Sequence, residues 1–166
     1  MKWLTNGLVI IALIGFSAIF VGAAENQTAD DATSVHVYSS PKDLKWGPAP
    51  PVVPKGAEAV VLDGNPFKEG GPYTLRLKMP DGYKIPPHWH PTDENVTVLN
   101  GTLGAGMGDK LDAASGQLIE AGGFVRMPKR VHHYAWAKGP TTIQVHGTAP
   151  FAFHYVNASD DPRNQH

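Results

Sequence analysis

The chain has no cysteine, which excludes disulfides, a cysteine nucleophile and the lipid anchor that forms on a cysteine at a cleaved N-terminus. Stability must therefore come from the core even in an oxidising compartment. An excess of charge of either sign is missing as well, with 14 Lys and Arg against 15 Asp and Glu. That removes the electrostatic case for nucleic acid or an acidic membrane surface and favours small or neutral partners. No serine sits in a recognisable nucleophile elbow. Beyond the N-terminal segment no run has the length and 3.6-residue period of a crossover helix, which argues against a parallel α/β fold. At 166 residues the chain is about one domain long.

What is abundant is punctuation. Eighteen glycines and fifteen prolines are scattered between short apolar runs, the pattern of an all-β domain. In "PYTLRLKM" Tyr73, Leu75, Leu77 and Met79 alternate with Thr74, Arg76 and Lys78, as in a half-buried strand. "ENVTVLN", "GGFVRMP", "HHYAWA", "TTIQVHG" and "FAFHYV" read as further short strands, separated by Asn-Gly, Gly-Gly, Lys-Gly-Pro and Ala-Pro breaks. Only "DKLDAASGQL" offers a helical turn. The glycine-rich "GTLGAGMGDK" fits neither G-x-G-x-x-G nor a Walker pattern and is read as a turn. Many short strands in about 110 residues predict a sandwich or barrel.

At the N-terminus, Lys2 precedes the apolar run Gly7 to Ala24, which ends in small residues before "ENQTADD". This predicts a signal peptide over 1–24, a mature N-terminus at Glu25 or Ala24, and a periplasmic or secreted protein. A retained membrane anchor is the alternative. Residues 25–56 form a polar, then proline-rich arm, and 57–166 the barrel domain. Trp46 and the Val52-Val53 pair expect an apolar surface for the arm, on its own domain or on a second subunit.

One strand-like stretch, "GYKIPPHWHPTDENVTVLNG", carries His88, His90 and Glu94. Side chains two apart on a strand share a face, so His88 and His90 converge while Trp89 points away. Glu94, past the "PTD" turn, can return a carboxylate to the same ion. The fourth ligand is expected at His133, which shares its face with the small Ala135 and Ala137, whereas His132 lies with the bulky Tyr134 and Trp136. If the polar face of "TTIQVHG" looks inward, Gln144 and His146 line the pocket.

These residues resemble the cupin superfamily. The spacing G82-x5-H88-x-H90-x3-E94-x6-G101 matches the first cupin motif at every defined position. In the second, G-x5-P-x-G-x2-H-x3-N, Gly122, Pro128 and His133 fall into register, while Arg130 replaces the last glycine and Ala137 the asparagine. Arg130 must then adopt a conformation glycine takes more easily. The resemblance, to small single-domain cupins of type 2, covers about residues 57–157. It implies a jelly-roll β-barrel holding one divalent metal through His88, His90, Glu94 and His133, and a homodimer.

Three neutral histidines and one carboxylate would leave such an ion about one net positive charge and positions for a chelating organic substrate. That suits dioxygenase, decarboxylase, isomerase or lyase chemistry with Glu94 as a catalytic group. The alternative is a non-catalytic small-molecule or metal-sensing module. Export favours manganese or zinc, with iron, nickel and copper open.

Overall fold

A computed structural model describes residues 37 and 39–165, so the expected signal peptide lies outside the described residues. Among the described residues nine strands form one curled antiparallel sheet with jelly-roll topology: β1 (Gly47–Pro48), β2 (Glu58–Gly64), β3 (Pro72–Met79), β4 (Lys84–Trp89), β5 (Glu94–Met107), β6 (Gln117–Glu120), β7 (Phe124–Met127), β8 (His133–Thr148) and β9 (His154–Tyr155). The strand order is β1-β2-β3-β8-β4-β9, and β5 joins β8 to β6 and β7.

Alternation in β3 does what its sequence predicts. Tyr73, Leu75, Leu77 and Met79 are buried, and Leu75 and Leu77 stand opposite Val145 and Ile143 of β8. The same two β8 residues face Val96 and Val98 of β5 on the other side. Directly opposed residues share a sheet face, so these six side chains form one apolar layer. Each large aliphatic buried there contributes about 1.5–3 kcal/mol.

The expected breaks are handled differently. "HHYAWA" and "TTIQVHG" are not separate strands but the two halves of β8, and β5 likewise runs through Asn100-Gly101. At this point Asn100 pairs with Thr142 and Thr102 with Lys138, so the two strands bulge together. Gly101 and Gly139, at φ +77° and +78°, take up the bend without ending the ladder. "FAFHYV" is mostly not strand: only His154–Tyr155 pairs, with β4, and Phe151 and Phe153 lie in extended chain. "DKLDAASGQL" holds no helix. The Asp112 carboxylate accepts from Ala114 N at 2.9 Å and Ser115 Oγ at 2.6 Å, closing a turn instead.

"GTLGAGMGDK" is strand as far as Met107 rather than turn. A Cβ at Gly104 would collide with the Trp136 ring, and one at Gly106 with Tyr134. These glycines make room on β5 for the aromatic side chains of its neighbour β8.

The proline-rich arm lies on its own barrel. β1 pairs with β2, Val53 is buried, the Tyr83 and Tyr155 hydroxyls donate to the carbonyls of Pro54 and Val52, and the Lys78 ammonium sits 3.9 Å above the Trp46 ring.

Candidate metal site

His88 lies near the end of β4 and His90 just beyond it. Pro91–Asp93 then turn the chain so that Glu94 opens β5. His133 opens β8 after the Pro128 turn. Within that turn Arg130 has φ +62°, the only positive φ of a non-glycine among the described residues, and its N–H donates to the His90 carbonyl at 2.8 Å. The glycine-like conformation expected of Arg130 is therefore real, and it ties the segment bearing His133 to the one bearing His90.

All four side chains converge in the interior. His88, His90 and His133 are 2–3% exposed. Their ligand nitrogens lie within 4.8 Å of one another. Glu94 Oε2 stands 3.5 Å from His90 Nε2 and 3.6 Å from His133 Nε2. The Nδ1 atoms of His88, His90 and His133 meet the carbonyls of Pro86 (2.7 Å), Ala152 (2.7 Å) and Val131 (2.9 Å). A carbonyl only accepts, so each Nδ1 carries the proton and each Nε2 presents a lone pair. His90 Nε2 and His133 Nε2 are buried with no hydrogen-bond partner. Buried polar atoms rarely go unpaired, and two nitrogens orphaned beside a carboxylate fit a divalent cation well.

The electrostatics agree. Burial, reinforced by His133 and His90, pushes the His88 imidazole well below its usual value. Burial also opposes charge on His90, but the Glu94 carboxylate and the Ala152 carbonyl together raise it. Burial alone would raise the Glu94 carboxyl; His90 and His133 beside it hold it well below the usual carboxylate range.

Two aromatic residues that sequence reasoning did not assign to the site wall it on one side. Phe153 stacks on the His88 ring at 4.4 Å and Phe151 on the His90 ring at 5.7 Å. The alternating "FAF" was visible as a strand signal, but nothing in it indicates that Ala152 offers a carbonyl to His90. His132 points away and meets Asp109 at the surface. Gln144 and His146 fall on the face of β8 opposite Ile143 and Val145, and Gln144 accepts from Arg76 Nε at 3.0 Å there. The structure does not bring this pair to the histidines.

A family model described as the ChrR cupin-like domain matches residues 34–152. No curated protein matches. Among solved structures, a putative acetylacetone dioxygenase from Methylibium petroleiphilum is similar with 18% identity and a TM-score of 0.60, over 79% of this chain and 88% of that one. The polyketide cyclase RemF from Streptomyces resistomycificus is similar with 18% identity and a TM-score of 0.59, over 77% and 90%. KdgF from Halomonas is similar with 15% identity and a TM-score of 0.53, over 72% and 97%. At these identities the likeness shows a shared fold.

Proposed function

The chain belongs to the ChrR cupin-like family, within the cupin superfamily, and on that footing we propose that it is an exported, metal-dependent enzyme acting on a small chelating organic substrate. The observation that carries this reading is the set of three buried imidazoles, each locked by a backbone carbonyl in the tautomer that aims Nε2 at the others. His88, His90, Glu94 and His133 would hold one divalent ion, which would supply Lewis-acid chemistry of the oxidoreductase (dioxygenase-like) or lyase type. Manganese or zinc suits the mixed histidine and carboxylate set in a compartment where iron(II) is easily oxidised.

The chain's own contribution is orientation and a negative charge. Pro86, Ala152 and Val131 hold the rings, Phe151 and Phe153 exclude water from one side, and Glu94 is the only acid among the four. Oxygen-consumption and product screening of the metal-loaded protein against chelating carbonyl compounds, phenols and organic acids tests the enzymatic reading; turnover of none of these classes would count against it. A binding module without turnover is the second reading, favoured by the near-complete burial of the histidines. N-terminal sequencing of protein from native cells tests export: Glu25 or Ala24 is expected at the start, and Met1 would contradict it.

A further inference from the structure

The aromatic wall covers only the His88 and His90 side of the site. On the other side, the cross-strand neighbour of Glu94 is Met127 and that of His133 is Met107. Opposed residues share a face, so both methionines lie on the face of the sheet that carries the proposed ligands, Met127 buried within it and Met107, 71% exposed, at its open edge. There they border a cavity of ≈ 330 Å³, near the lower end for small-molecule sites. The register places Ala105, Gln117, Ile119 and Val125 on the same face, all lining this cavity.

Its chemistry is one-sided. Gln117 is the only polar side chain among these six residues; Ser115 also borders the cavity, but its hydroxyl donates to the Asp112 carboxylate at 2.6 Å. Arg126, the sole charged residue at the cavity, alternates to the outer face, where it is largely exposed and 3.8 Å from Asp93. A dicarboxylate or a sugar placed here would give up hydration for apolar walls with almost nothing to bond to. A ring or branched chain would lose nothing.

We propose that this cavity takes the body of an uncharged substrate, an aromatic or branched aliphatic compound bearing two adjacent oxygen donors, and that Gln117 is the specificity-determining side chain that orients it. The assignment rests on the metal reading above for the oxygen donors, and on the cavity alone for the body. An added cation at Gln117 would supply the partner that a carboxylate now lacks.

The test uses the full chain, metal-free and zinc-loaded, with 4-fluorocatechol as the uncharged probe and malonate as the charged one. Fluorine NMR is expected to show saturable 4-fluorocatechol binding to both forms, weakened at least fivefold in Gln117→Arg, a substitution at an exposed position. On the zinc-loaded protein malonate should bind at least tenfold more weakly than 4-fluorocatechol, and gain at least tenfold in Gln117→Arg. If zinc is not taken up, the metal reading fails, while Gln117-dependent binding of 4-fluorocatechol to the metal-free protein still supports the cavity assignment. Absence of 4-fluorocatechol binding to either form, binding unmoved by Gln117→Arg, or preference of the wild type for malonate overturns it.

Discussion

Glu94 is the only acid among the four buried residues proposed to hold the ion, and removing its charge separates holding an ion from using it. Glu94→Gln should keep much of the metal on three histidines but raise its effective charge by about one unit. Turnover should then fall out of proportion to metal loss, since any proton transfer by the carboxylate disappears too. Specific activity per bound ion equal to wild type would remove Glu94 from catalysis. The site also predicts a proton balance. In the metal-free protein the raised His90 contributes stability that is present below the unfolded value of about 6.5 and lost as pH rises through its folded value. His88, lowered by burial, works the opposite way: its strain against charging takes stability away as pH falls below about 6.5. Ligation needs all three rings neutral, so occupancy should decline below about pH 6, and loading near neutrality should release protons from His90. Equilibrium dialysis across pH 5 to 8 reads the first and calorimetry in two buffers the second. Flat occupancy between pH 7 and 5 would refute this account of the site.

At the scale of elements, β5 and β8 show what sequence conveys and what it hides. The alternation of β3 was readable because each apolar residue meets the core through its own side chain. The role of Gly104 and Gly106 was not, because a glycine on a strand signals only that something comes close, and here the neighbours are rings some thirty residues away, Trp136 and Tyr134. Nor could the Lys138–Pro140 segment be seen as a bulge, since its partner, Asn100–Thr102, compensates it from another strand. Gly104→Ala forces a methyl group into the Trp136 ring and should cost about 1–3 kcal/mol by urea unfolding. Metal content should be unchanged, because both residues face away from the ligands. Wild-type stability in Gly104→Ala would show that the aromatic cover does not need that space.

For the whole molecule, the paired histidines were legible because strand periodicity fixes which residues share a face, while the strand pattern alone led only to a sandwich or barrel and the jelly roll came from the resemblance of the two motifs to cupins. What escaped was everything made by backbone or by the far end of the chain: the Ala152 carbonyl on His90, the Phe151 and Phe153 wall, and the outward side of Gln144 and His146. The arm's partner was also open in the sequence and proves to be its own barrel. Leu118 and Phe124 stand exposed at alternate positions to the inward Ile119 and Val125 and offer an apolar surface to a second copy. Light scattering of the purified protein at micromolar concentration should give twice the chain mass, and a monomer there would contradict the proposed homodimer. The central claim is that His88, His90, Glu94 and His133 form one metal site, and elemental analysis of purified protein after chelator-free dialysis tests it most directly. The account predicts one divalent ion per chain in the wild type and none above background in folded His90→Ala; pure wild type that stays far below one ion and cannot be reloaded, or His90→Ala with full metal content, would contradict it.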